Sequence, residues 1–262
     1  GIQVGNVVIY VNPFPFLDQH FTIVHRTHTD QKADEDFIRT GLGLIANTLS
    51  NKKLIINDFG AGASIPGHAH MQMGISPQLP IEQAPTTTLT DDGVMKISEV
   101  KGFPANAFVV ESADEGKIVT TVMNIISAMK TQKTLLDQQT DALKNHVMEM
   151  MAKNKYRTTE ARTGMPVIAE EDLRFNVMMT KDGNKIKVYV IASNRYGEIP
   201  TGFTSGFATM ERCGKLILSN RGIFERVTLK PQDAGMMLLN YINARRSAGG
   251  LEQVESVMPD EL

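Results

Sequence analysis

Residues 62–74 read GASIPGHAHMQMG, and they carry two of the six histidines in the chain one residue apart. Side chains alternate along a β-strand. A strand over about 68–74 therefore puts His68, His70 and Gln72 on one face and Ala69, Met71 and Met73 on the other. The second face is apolar and suits a core. The first presents two imidazoles and an amide in a row, about 7 Å apart at each step. Upstream, Gly60, Gly62 and Gly67 surround Ser64, and a loop of that kind lets backbone N–H groups come close to an anion. Three readings fit: two histidines that merely satisfy each other's surroundings, a metal site, or covalent phosphoryl-group chemistry. In the last, a neutral imidazole attacks phosphorus and carries the group, while a glutamine amide steadies its oxygens.

Outward from this strand, the chain alternates strand and helix patterns. NVVIYVN (6–12) and HFTIVHR (20–26) read as strands, the second with its faces unresolved. A helix is expected over 34–50, opened by Asp34, Glu35 and Asp36 and lined by Phe37, Ile38, Leu42, Ile45 and Leu49. KKLIIND (52–58) is a short buried strand. Residues 75–94, with Pro77, Pro80 and Pro85, read as a long loop. FVVES (108–112) is a further strand, and Ser112 with Glu115 forms a capping-box pattern. Ile118, Val122, Ile125, Ile126 and Met129 then line a helix, and Leu143, Val147, Met150 and Met151 extend the helical pattern to about 152. Residues 174–193 form a β-hairpin around Asp182-Gly183. KLILS (215–219) is a strand, and Pro231 opens a last helix with Met237, Leu238, Tyr241 and Ile242 on one face. The result is an α+β chain with an antiparallel sheet. Its expected organisation is a first half over 1–152, a linker over 153–172, a second α+β part over 173–250 and a tail over 251–262.

Bulk properties narrow the function classes. A net charge of −2 without a long run of one sign argues against a nucleic-acid surface. No stretch reaches the roughly 18 apolar residues of a membrane span, and the start GIQVGNVVIYVNPFP lacks a signal-peptide pattern. Cys213 is the single cysteine, which excludes an intrachain disulfide and an all-thiolate metal site. The expected compartment is the cytoplasm. A strand-like run lies close to the start, and a missing N-terminal piece is one reading of that.

HAHMQ (68–72) resembles the His-x-His-x-Gln motif of the histidine-triad (HIT-like) superfamily, in its transferase and phosphorylase branch. That branch holds galactose-1-phosphate uridylyltransferases, dinucleoside tetraphosphate phosphorylases and GDP-hexose phosphorylases. LPIEQAP (79–85) is similar to the Pro-x-Glu-x-Ala-Pro block of the last group. NPFPFLDQHFTIVHRTH (12–28) resembles the family's entry hairpin, with Asp18-Gln19 where Pro-Gly is usual. NDFGAGAS (57–64) resembles the Asn-x-x-Gly-Ala run of the uridylyltransferases, and the hairpin ending at Arg195 is a weaker match.

The resemblance implies a histidine-triad-like antiparallel sheet with packed helices, with a partial second half of the same kind. It makes His70 the nucleophile, Gln72 the partner of the transferred phosphoryl group and His68 a supporting histidine. It makes Asn57 an orienting or phosphate-binding group, Gly62 and Ser64 part of a phosphate-holding loop, and Asn12 a ribose-binding residue. His20 belongs to the entry block with a less defined role. Each also has a plain structural alternative: turn residues for Asn12, Asn57 and Ser64, exposed polar positions for His20, His25 and His28, a solvated charge for Glu82. Cys213 reads as a small buried hydrophobe and the Met-rich 147–151 as helix packing.

The leading expectation is a nucleotidyltransferase or nucleotide-sugar phosphorylase working through a nucleotidyl-histidine. Its substrate is a nucleotide sugar or dinucleotide, and its acceptor a phosphate or sugar phosphate. No cofactor is expected. A structural zinc is the one metal the uridylyltransferases suggest, and the chain lacks their Cys-x-x-Cys. No nucleic acid or membrane partner is expected; a homodimer is allowed for. The alternatives are a nucleotide or sugar-phosphate binding protein without turnover, and a cupin-like metal protein. Gly62 stands at the cupin distance before His68, but Gly74 and Ile75 occupy the places where cupins supply a glutamate.

Overall fold

The computed structural model describes residues 1–48, 51–58, 61–63, 67–101, 107–137, 174–193, 208–215 and 217. The expected linker and tail, the helical pattern ending at 152, the helix opened by Pro231 and most of the 215–219 strand lie outside them.

Within the described residues, ten strands form one antiparallel sheet. They are β1 (Ile2–Val4), β2 (Val7–Val11), β3 (Asp18–His25), β4 (Lys52–Asn57), β5 (His70–Ile75), β6 (Thr86–Asp91), β7 (Met95–Val100), β8 (Ala107–Ser112), β9 (Arg174–Asp182) and β10 (Lys185–Ser193). The helices are α1 (Glu35–Ala46), α2 (Pro80–Gln83), α3 (Glu115–Asp137) and α4 (Thr209–Arg212). The strand order is β1-β2-β3-β5-β4-β9-β10-β8-β7-β6. The hairpin β9–β10 thus lies inside the sheet and joins the β1–β5 side to the β6–β8 side.

Alternation along the strands gives the sheet two unlike faces. On one, Ile23, Met71, Leu54, Ile56, Val177, Val188, Val190 and Val110 meet Phe37, Ile38, Leu42 and Ile45 of α1 and Ile118, Val119, Val122 and Ile126 of α3. Those helical residues recur every three or four positions, so each helix buries one stripe. On the other face Ile55, Met178, Tyr189 and Ile191 pack beneath Leu79 and Ile81 at α2 and Met210 and Cys213 at α4. His70 and Gln72 stand on this same face.

Four expectations need correction. The first helix ends at Ala46 with Asn47 as its cap, short of residue 50. Its start is as expected, with Asp34 accepting from the Phe37 N–H at 3.0 Å. Residues 75–94 do not form one loop. α2 lies inside them, and the β-branched run Thr86–Thr90 starts β6, which pairs with β7. The cap of α3 is Asp114, whose carboxylate accepts from Lys117 N–H at 3.0 Å. Ser112 instead donates to the Val94 carbonyl and accepts from Asp114 N–H. The fourth concerns β5, which begins at His70 and not at residue 68. Residues ahead of it bond to the loop after β3: His25 N–H to Ala69 O and Ala69 N–H to Thr29 O.

Among the described residues no helix is long and apolar enough to cross a membrane.

Candidate active site

β5 places His70 and Gln72 on the face away from α1 and α3. His70 is buried, at 5% exposure. Its Nδ1 lies 3.0 Å from the His68 carbonyl oxygen. A carbonyl only accepts, so Nδ1 carries the proton and Nε2 keeps its lone pair. Among the described residues no hydrogen bond engages Nε2. Burial holds the imidazole below its usual protonation range, against the opposing His68 hydrogen bond and with help from the field of the His68 ring. A buried, neutral imidazole with one directed lone pair is what a nucleophilic histidine requires.

Gln72 is held from the entry hairpin. The Phe16 N–H donates to Nδ1 of His20 at 3.3 Å. Nε2 of His20 must then carry the proton, and it donates to Oε1 of Gln72 at 3.1 Å. The amide orientation follows: oxygen toward His20, the NH2 group left as a donor. His20 itself is buried, and desolvation lowers its pKa against the Gln72 bond, with the Lys215 charge adding to the lowering. Its ring packs edge-on against Phe16 at 4.3 Å between centroids.

Because β5 starts at His70, His68 does not share the strand face by alternation. Its Nε2 donates to the His25 carbonyl at 2.8 Å, and its ring stacks on the exposed His28 with centroids 4.2 Å apart. Its carbonyl rather than its ring meets His70. His25 is half-buried and bonds Thr27 through Nδ1.

Asn57 projects from the same face as Gln72, since β4 pairs with β5 through Ile55 opposite Gln72. Its Oδ1 accepts from Asn176 Nδ2 and the Thr209 N–H, each at 2.9 Å, and from the Thr209 hydroxyl. Asn176 also donates to Ala61 O at 2.8 Å. This buried network ties β4, β9 and α4 to the turn where Gly62 stands at φ +95°, a left-handed conformation suited to glycine. Ser64 lies outside the described residues. Asn12 closes its own turn: Oδ1 accepts from Phe14 N–H at 2.8 Å and Nδ2 donates to Thr22 Oγ1 at 2.9 Å. Thr22 stands opposite Gln72. His20, His70 and Gln72 therefore come together, Asn12 is one strand away through Thr22, and Asn57 stands beside them.

Three other residues complete the surroundings of the site, and of these Gln31 and Lys215 carry no local sequence signal. The Gln31 amide bonds both the N–H and the C=O of His70. Lys215 donates to the Phe16 carbonyl at 3.3 Å, placing a cation beside the His20 loop. Glu82 is not a solvated charge: it is buried and pairs with Lys53 at 2.6 Å. Only its place in a proline-bounded block hinted at more than a surface carboxylate. Cys213 is fully buried, and burial pushes its thiol pKa up, as a core residue rather than a nucleophile.

Among the described residues no group of three or more His, Cys, Asp or Glu side chains could hold a metal ion. His68 Nε2 is committed to a carbonyl, and so is His70 Nδ1.

Residues 1–75 match the family described as Domain of unknown function (DUF4922). No curated protein matches the sequence. Among solved structures the chain is similar to yeast Ap4A phosphorylase Apa2, at TM-score 0.51 and 16% identity, over 90% of this chain and 72% of that one. The same protein in complex with AMP gives TM-score 0.54 at 14% identity over 90% and 72%. Its complex with Ap4A gives 0.52 at 16% over 90% and 73%. The fold is histidine-triad-like. At this identity the likeness is one of fold, with the antiparallel sheet and packed helices that the motif implied.

Proposed function

We propose that the chain is a nucleotidyl-transferring enzyme acting through His70 on a nucleotide sugar or dinucleoside polyphosphate. The observation that carries this is the His70 tautomer: Nδ1–H is fixed on the His68 carbonyl, and among the described residues nothing bonds Nε2. The amide of Gln72, turned by His20, is the donor beside it. The fold shared with a yeast Ap4A phosphorylase supports the same class of chemistry.

In this reading the Nε2 lone pair attacks the α-phosphorus. The bond from that phosphorus to the bridging oxygen breaks, and the leaving phosphate ester departs with the electron pair. The nucleotidyl group then sits on Nε2. An oxygen of orthophosphate or a sugar phosphate attacks next, the P–N bond breaks, and the pair returns to Nε2. The Gln72 NH2 group meets the equatorial oxygens as charge develops on them. Burial of His70 matters here: protonation of Nε2 removes the nucleophile, and desolvation opposes it.

The test is intact-protein mass spectrometry after brief incubation with UDP-, GDP- and ADP-sugars and with dinucleoside polyphosphates, Ap4A among them. An acid-labile nucleotidyl adduct is expected on the wild type and not on His70→Ala. Nucleotide binding that survives His70→Ala, with no adduct from any donor, would replace this reading with that of a binding protein.

A further inference from the structure

The ladder between β4 and β5 ends at Ile55 opposite Gln72, although β4 itself runs on to Asn57 beside β9. Just ahead of β5 the Ala69 carbonyl points to the β3 side, where it accepts from His25 N–H. Backbone groups alternate sides along a strand, so the N–H and C=O of His70 point the other way, into the gap that β4 leaves. Gln31 fills it. Its Oε1 accepts from His70 N–H at 2.7 Å and its Nε2 donates to His70 O at 2.8 Å. Its own exposure is 0%. One side-chain amide thus makes both hydrogen bonds a neighbouring strand would make. The segment is pinned there by Ala33 N–H donating to Asp58 at the end of β4, at 3.3 Å.

We infer that Gln31 is a positioning residue for His70, holding its backbone so that the Nδ1–H to His68 bond forms and Nε2 points at the substrate. This rests on the nucleophilic role proposed for His70. The group must both donate and accept; length or bulk alone does not suffice. A glutamate here is a sharp probe. Its protonated carboxyl has one acceptor and one O–H donor, in the pattern of the amide, and its ionised form only accepts. His70 lies against this group and Asp58 bonds two residues on, at the Ala33 N–H; burial of the side chain favours the protonated glutamate.

The experiment compares wild type, Gln31→Met and Gln31→Glu by adduct formation against pH and by imidazole 15N NMR of the intact chain. Gln31→Met is expected to slow adduct formation by about 100-fold at every pH, the order of loss that follows a misplaced reacting group. KM should change little, and the His70 ring should no longer show a single Nδ1–H tautomer. Gln31→Glu is expected to keep most of the rate at low pH and to lose it as the carboxyl ionises, giving a basic limb that wild type lacks. Wild-type rates and unchanged His70 signals in Gln31→Met would overturn the assignment. If that variant does not fold, a Gln31→Glu profile superimposing on wild type would do the same. If no donor gives an adduct even with wild type, the proposed function fails; the tautomer readout still decides the role of Gln31.

Discussion

The two site histidines reach neutrality by the same route and serve different ends. Each has one ring nitrogen bound to a backbone group, which fixes the tautomer: the His68 carbonyl takes Nδ1–H of His70, and the Phe16 N–H fills Nδ1 of His20. In His70 the remaining nitrogen is a lone pair that no described residue engages; in His20 it is a donor spent on Gln72. Desolvation is the largest cause of the lowered pKa in both. The consequence for stability has a definite sign. Above the ordinary value of 6.5 both are neutral in the folded and unfolded chain. As pH falls through that value, the unfolded chain takes up protons first, so stability is lost until the folded-state pKa values are passed. Wild-type melting temperature should therefore drop more steeply between about pH 7.5 and about pH 5.5 than that of a His20→Phe/His70→Gln double variant. Parallel slopes would show that neither imidazole is held neutral by the fold.

At the scale of the element, β5 shows what a periodic pattern encodes and where it stops. The apolar face of Met71 and Met73 and the polar face of His70 and Gln72 were legible from alternation alone. The start of the strand was not, because residues 67–69 are drawn off by a loop whose bonds come from Thr29 and His25. β6 was hidden by the prolines that precede it. The hairpin β9–β10 was readable, yet its place between β4 and β8 depends on pairings that no local window contains. The partners of the site are separated further still: Gln31 lies 39 residues from His70, and Thr209 lies 152 from Asn57. Side-chain periodicity reports burial, not which distant polar group satisfies a strand end.

Gly74, inside β5, carries a prediction of its own. A Cβ there would stand 2.6 Å from Leu17 Cβ and 3.0 Å from the Asp18 carbonyl. Those atoms open β3, where the register shifts between Asp18 and Phe21 and the chain turns toward His20. Gly74→Ala should destabilise by about 1–3 kcal/mol, as overpacking does, and should disturb the His20 bond to Gln72. Gly43 on α1 has open space around its Cβ position, so Gly43→Ala should raise stability by roughly 0.5–1 kcal/mol through helix propensity. Denaturant melts of the two variants check the contrast; equal effects would mean that β3 yields freely.

Over the whole molecule, a buried ion pair fastens the cover on the second face to the sheet. Lys53 Nζ on β4 reaches Glu82 Oε1 on α2 at 2.6 Å and Thr180 Oγ1 on β9 at 3.1 Å. Glu82 Oε2 also accepts from the Leu79 N–H at 2.7 Å. Both side chains are under 10% exposed, at 5% and 8%. From α2 the contact continues: Ile81 N–H donates to the Cys213 carbonyl, and the Lys215 that follows α4 reaches Phe16 beside His20. The cover and the donor Gln72 are thereby connected through bonded groups. Removing one partner of a buried pair leaves an uncompensated charge, at a cost of about 3–5 kcal/mol. Lys53→Met should therefore lower the melting temperature by about 10 °C in a chain of this size. Lys53→Met/Glu82→Gln removes both charges while the new side-chain amide still accepts from the Leu79 N–H, and it should regain most of that loss. A double variant as unstable as the single one would show that the lysine acts by packing its stem against the second core rather than by its charge. The melts of wild type, single and double variants separate the two, because only the charge account predicts recovery.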